Sequence, residues 1–195
     1  MPRPAVHLRR EDGLPVFAEV PVLDGDKAAG SRWIAATAMI ATQGGPVAAG
    51  NLQPGMRVLS RDSGYCTIRS VERGQAVQMV EIAAGVLGNA DPAVLPAAAH
   101  VLLAGDALEQ VFGSREVLVA ASALIDGVTV RAHHAAQGGA VVALVLDTSE
   151  IVWADGICIA TSAADAPRSV LTGRDAAVAL RLAGLRPEGT AVRAA

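Results

Sequence analysis

The stretch Leu52-Gln53-Pro54-Gly55-Met56-Arg57-Val58-Leu59-Ser60-Arg61-Asp62-Ser63-Gly64 decides how this chain is read. Pro54-Gly55 is a turn signal. Met56 to Ser60 then alternates apolar and polar, the period of a half-buried strand. Arg61-Asp62-Ser63-Gly64 has hairpin chemistry, and Cys66-Thr67-Ile68-Arg69-Ser70-Val71 resumes the alternation. Turn, strand, turn and strand in close succession point to an all-β protein.

The same pattern runs outward. Trp33–Ala41 is apolar and ends at the turn cluster Gln43-Gly44-Gly45-Pro46. Ala76–Ala84 is closed by Gly85, and His100–Leu103 by Gly105. Glu116–Val119, Val128–Ala132, Ala140–Leu146, Ile151–Ala154 and Ile157–Ala160 complete the expected strands. Asp106–Phe112 fits one or two helical turns, with Asp106 as N-cap and Glu109 at the third helical position. Ala120–Ile125 reads as a helical turn ended by Asp126-Gly127. Near the C-terminus, Thr172 is an expected N-cap and Gly184 a stop. Between them Ala176, Val178, Ala179, Leu180 and Leu182 form an amphipathic face, read as capping the β domain in preference to serving as a partner helix. The expected organisation is a leader (1–31), a β domain (32–165), and a helix with a disordered tail (166–195). Within the leader, Val16 to Val22 reads as one short strand.

Composition supports this reading. The 195 residues are 52% hydrophobic, with 20 glycines and 10 prolines punctuating a Val- and Ala-rich text. A net charge of −3 with scattered basic residues gives no electrostatic footprint for nucleic acid or an anionic membrane. No apolar run approaches the ~20 residues of a membrane span. The N-terminal stretch lacks a signal-peptide apolar core, so a cytoplasmic location is expected, with non-Sec export left open. Two distant cysteines, Cys66 and Cys158, make neither a disulfide framework nor a cysteine zinc site. No cofactor or metal is expected. A protein partner is left open.

Three groups of residues, in this order, resemble the bacterial Hint (Hedgehog/intein) self-processing family. The first is Ala36–Thr42, Gly45-Pro46-Val47 and Leu52–Asp62. The second is Val80–Asn89 with Val101-Leu102-Leu103. The third is Val117-Leu118-Val119, Leu124-Ile125-Asp126-Gly127, Leu144–Asp147 and Ile151–Gly156. The resemblance runs from about Trp33 to Ser162 and implies a horseshoe of short strands. It also implies chemistry in which a Cys or Ser side chain attacks the preceding carbonyl, with a histidine assisting the leaving amine.

Carried over position by position, that chemistry is missing. The family's nucleophilic Cys falls on Trp33, whose indole has no nucleophile. The motif histidine falls on Ala99, and its Ser-Pro pair on Pro96-Ala97. The late histidine falls on Ser149. His100 is one position late, and one step along a strand points to the opposite face. His100 is the weak candidate that remains.

Other residues give little. Cys66 and Cys158 sit in apolar runs, where a free cysteine is a small core residue. Ser31 is the hydroxyl nearest Trp33 but reads as linker. His133-His134 reads as a solvated turn, since adjacent strand residues diverge. His7 signals nothing, and Asp24-Gly25-Asp26 lacks the further oxygens of a calcium loop.

Three functions follow. The first is a catalytically degenerate Hint domain acting as a structural or interaction module. The second is an active autoprocessing domain using Ser31 or Cys66 with His100. The third is an unrelated all-β binding module.

Overall fold

The computed structural model describes residues 22–23, 32–162 and 164–185. The readings of Val16–Pro21, Asp24-Gly25-Asp26, His7, Ser31 and the C-terminal tail lie outside the described residues.

The strands, in chain order, are β1 (Val22–Leu23), β2 (Trp33–Ala35), β3 (Met39–Thr42), β4 (Gly45–Ala48), β5 (Arg57–Ser60), β6 (Gly64–Thr67) and β7 (Ser70–Ile82). They continue as β8 (Ala93–Pro96), β9 (His100–Ala104), β10 (Glu116–Ala120), β11 (Val130–Val145), β12 (Ile151–Ala154), β13 (Ile157–Ala160) and β14 (Val170–Leu171). Two α-helices, α1 (Asp106–Phe112) and α2 (Gly173–Leu182), and two 3-10 turns, Ala49–Asn51 and Ala121–Leu124, complete the described elements. The protein is all-β with a C-terminal helix, as the turn-and-strand grammar predicts.

One sheet has the order β1-β7-β11-β2, with β8 also on β7. The other runs β14-β10-β9-β13-β12-β3-β5-β6, with β4 on β3 and a further β12–β5 pairing. Alternating residues such as Ile34, Val58, Val101, Val117, Val119, Val141 and Ile159 meet in one contiguous core. Residues from α2 enter the same core: Ala176, Ala179 and Leu180. The helix therefore caps the sheets.

The turns explain the register. Gln53 to Met56 closes with Met56 N–H donating to the Gln53 carbonyl at 3.2 Å, and Gly55 sits at φ +88°. Only glycine takes that conformation cheaply, so the Pro54-Gly55 signal is a local necessity. The β12–β13 hairpin turns on Asp155 (φ 50°) and Gly156 (φ 79°), both positive, as a two-residue type I′ loop requires. Asp155 ties that hairpin to β3. Its carboxylate accepts from Met39 N–H at 2.8 Å, and its own N–H donates to the Met39 carbonyl at 2.9 Å.

The structure corrects several readings. The expected strand Cys66–Val71 is split at Ile68-Arg69, and its end joins Ala76–Ile82 as the single strand β7. Val128–Ala132 and Ala140–Leu146 likewise belong to one strand, β11, with a register shift between His134 and Gly139. His133-His134 is therefore in a strand, with the His133 side chain exposed, and not in a turn. Pairing with β7 supplies the hydrogen bonds that local sequence does not advertise. Gly45-Pro46 opens β4 and lies outside the turn. Asp106 is the first helical residue of α1, with Gly105 at the N-cap and no side-chain cap bond. β8 is absent from the expected strands: Pro92 and Pro96 flank or end it and mask the strand signal.

Asp126 closes the loop into β11. Its carboxylate accepts from the N–H groups of Val128, Thr129 and Val130 at 2.7, 2.8 and 2.9 Å, and from the Thr129 hydroxyl at 2.6 Å. Partial burial works against the charge, but these donors outweigh it and hold the group down at about 2, from 3.8. A depressed carboxylate stabilises the fold above its unfolded value, and the gain disappears as pH falls through the folded value. Asp126→Ala should lower stability at neutral pH by about 1 kcal/mol, read as a lower urea midpoint with unchanged slope. Native protein should lose stability more steeply than the variant as pH falls from about 4 towards 2.

Candidate active site

Trp33 opens β2, paired with Ala143 of β11. Its ring reaches across to β7 and lies on Gly74: a methyl group added there would meet the indole Cη2 and Cζ3 at 3.1 Å. That separation is tighter than most real side-chain contacts, so a side chain at 74 would require the indole to give by a few tenths of an ångström. Arg32 sits 6.0 Å from the ring centroid and is ion-paired to Glu72 at 2.6 Å. The Arg32–Trp33 step is thus held down on the five-stranded sheet.

Ala99 lies between β8 and β9 and is 1% exposed. Its N–H donates to the Pro96 carbonyl at 2.9 Å, and its carbonyl accepts from Ala121 N–H at 2.7 Å. It shares the core with Val101 and Leu103. His100 is buried at the start of β9, opposite Ala120.

Ser149 lies between β11 and β12, and its hydroxyl donates to the Ser162 carbonyl at 3.2 Å. It lines a groove of about 470 Å³ with Arg32, Leu146, Thr148, Ser162 and Asp165 among others. The fold therefore brings Arg32, the residue before Trp33, to the same groove as Ser149. Ala99 and His100 are not in its lining.

Sequence reasoning misses the residue beside Ser149. Glu150 is 6% exposed. Its carboxylate accepts from Ser60 at 2.6 Å, from Ser63 at 3.0 Å and from Thr148 at 2.8 Å. Its N–H donates to the Thr161 hydroxyl at 2.9 Å, and its carbonyl accepts from Thr161 N–H at 2.8 Å. Burial disfavours the charge. The bonds from Ser60, Thr148, Ser63 and the Cys66 thiol prevail, and hold the group below the ordinary carboxylate range. The available signal is a lone acid abutting the apolar run Ile151-Val152, a position where a buried charge needs partners.

Neither thiol is shifted towards the thiolate. Cys66, on β6, is pushed up by burial and by the neighbouring Glu150 charge. Burial pushes Cys158 up to about 11, with Arg61 offsetting part of the effect. Cys158 is half-buried on the strand face opposite Ile157 and Ile159, so it is not part of the core those two residues enter. Near it Glu116 bridges two cations, Arg61 and, at 2.7 Å, Arg168, while Arg168 also reaches Asp62 at 3.1 Å. Among the described residues, no three or more His, Cys, Asp or Glu side chains are grouped to hold a metal. Also among them, no helix is long and apolar enough to cross a membrane.

The Hint domain family model matches residues 34–164. This chain belongs to the Hint domain family. The matched region begins one residue after Trp33. Among solved structures, the chain is similar to a bacterial intein-like domain from Clostridium thermocellum, at 15% identity and a TM-score of 0.49, covering 66% of this chain and 97% of that one. It is similar to the MchDnaB-1 intein at 14% identity and a TM-score of 0.45, covering 65% and 96%. It is also similar to the gp41-1 intein at 11% identity and a TM-score of 0.44, covering 67% and 98%. No curated protein matches the chain.

Two variants probe this Hint site. Gly74→Val should displace the Trp33 ring and cost about 1–3 kcal/mol, with a red-shifted emission when measured in a Trp153→Phe background. Glu150→Ala leaves the buried Ser60 hydroxyl without its charged acceptor and should cost about 1–3 kcal/mol, measured by urea unfolding.

Proposed function

We propose that this Hint domain does not cut its own chain and serves as a folded structural or interaction module. The observation that carries the reading is Trp33. At the position matching the family's nucleophile stands an indole packed on Gly74, with no atom able to attack the preceding carbonyl. The other two matching positions support it. Ala99 is an apolar core residue, and the Ser149 hydroxyl donates to a carbonyl with no base beside it in the bonds it makes.

Autoprocessing through Cys66 and His100 fits the geometry less well. Cys66 lies on β6 and His100 on β9, with β13, β12 and β5 between them along the pairings of the sheet. A thiol pushed upward is also a poor source of thiolate at neutral pH. The two free cysteines fit a reducing compartment, and we place the protein in the cytoplasm on that ground.

Intact-mass spectrometry of the purified chain, before and after dithiothreitol or hydroxylamine, should give one full-length species. Fragments starting at residues 31–33 would overturn the inert reading. The double change Trp33→Cys with Ala99→His tests the register, and a thiol-triggered break before residue 33 is the expected result.

A further inference from the structure

The nine-stranded sheet buries one face and leaves part of the other open. Ile40, Val58, Val152 and Ala154 enter the core. Their strand neighbours Ala41, Leu59 and Trp153 therefore point outward, and each is half-buried and outside that core. Tyr65, paired with Leu59, is 42% exposed, and Met39 is 43% exposed.

The pairings gather these residues into one patch. Thr42 is paired with Val58, so Ala41 stands beside Leu59. Ala154 is paired with Ile40 and Val152 with Ser60, so Trp153 lies where β12 meets both β3 and β5. The solvated face of an antiparallel sheet is ordinarily polar. Here its centre is a tryptophan, a leucine and an alanine, with a tyrosine and a methionine at the margins. A contiguous outward apolar patch with aromatic residues has the composition of an interface centre.

The margins also carry one charge of each sign that no ion pair neutralises. Arg57 stands two residues before Leu59 on β5. Its guanidinium lies 5.7 Å from the Tyr65 ring centroid and donates to the Tyr65 carbonyl at 2.9 Å. Asp155 stands two residues after Trp153, beside Met39, whose N–H donates to one of its oxygens at 2.8 Å. Among the described residues neither Arg57 nor Asp155 makes an ion pair. Opposite charges at two margins of one apolar patch are self-complementary. A two-fold axis lying in the face, across the line from Arg57 to Asp155, brings each onto the other's counterpart and lays one apolar centre on the other.

We propose that the face centred on Ala41, Leu59 and Trp153 is the interface of a two-fold homodimer, in which Arg57 of one copy pairs with Asp155 of its partner. The apolar centre supplies the affinity, and the charge pairs fix the orientation. This rests on the interaction-module reading in one respect, that it names the module's partner. Cleavage is read by intact mass and association by sedimentation, so either can fail alone.

Sedimentation equilibrium of the full-length chain should show a reversible monomer–dimer equilibrium. Leu59→Asp puts a charge in the apolar centre, and Arg57→Glu sets like charges against each other. Each should weaken association by about tenfold or more, with far-UV circular dichroism unchanged. Asn tolerates the positive φ of position 155 and keeps an acceptor for Met39 N–H, so Asp155→Asn leaves the hairpin intact. Added to Arg57→Glu, it should recover about threefold of the lost association, because the repulsion is gone. A chain that stays monomeric at every concentration would overturn the proposal and leave the face to a different protein. A dimer indifferent to Leu59→Asp and Arg57→Glu would overturn this face as the interface. Absence of recovery in the double variant would overturn the charge pairing.

Discussion

The antiparallel ladder between β7 and β11 is the constraint on which the other elements depend. Its register runs from Val130↔Ile82 to Val145↔Ser70. β8 and β1 build on one side of it and β2 on the other. A slip of one residue would turn the side chains of β7 to the opposite face. It would carry Val80 and Ile82, both fully buried, to the face that the exposed Glu81 now occupies. The same register sets Gly74 where the indole of Trp33 can lie on it. Where the register shifts, between His134 and Gly139, the thioether of Met79 comes within 3.2 Å of where a Gly139 Cβ would stand, so the irregularity is tied to a small residue.

The second sheet is held by polar devices of a different kind. Glu150 gathers hydroxyls from the β5–β6 turn and from its own loop, which anchors the segment carrying Ser149. Glu116 draws Arg61 and Arg168 together across the sheet's surface. A buried carboxylate is costly unless its oxygens are filled, and at Glu150 hydroxyl donors fill them. On the proposed reading, the side of the fold that would carry reactive groups carries packing and satisfied hydrogen bonds. Functional sites tend to cost stability, and exchanging reactive groups for packed ones relieves that cost.

Much of the fold is legible in the sequence because its turns are local. Pro54-Gly55, Asp155-Gly156 and Gly184 need positive φ, and the residue types announce it. β10, β12 and β13 are visible as short apolar runs between turn signals, and in β10 and β12 adjacent residues are buried on both faces. The long strands are legible only in pieces. Nothing near Gly74 in sequence tells the chain to continue straight; the partner strand does. β8 is hidden by its prolines. At the candidate site, the identities at 33, 99 and 149 are plain from the text. Their surroundings are not: the Trp33–Gly74 contact joins residues whose meeting depends on β2, β11 and β7 pairing side by side.

By itself the sequence determined the all-β class, the places where the chain turns, the C-terminal helix and its capping face, and the absence of a nucleophile at Trp33. These follow from dihedral preference, local periodicity and side-chain chemistry, which act within a few residues. Only the tertiary structure decided that β7 and β11 are single long strands, that Arg32 and Ser149 share a groove, and that Glu150 is buried among hydroxyls. It alone decided that Val22–Leu23 pairs in parallel with β7. Each of these is a contact between segments distant in the chain, and such contacts are set by which faces and edges remain to be covered once the local elements have formed.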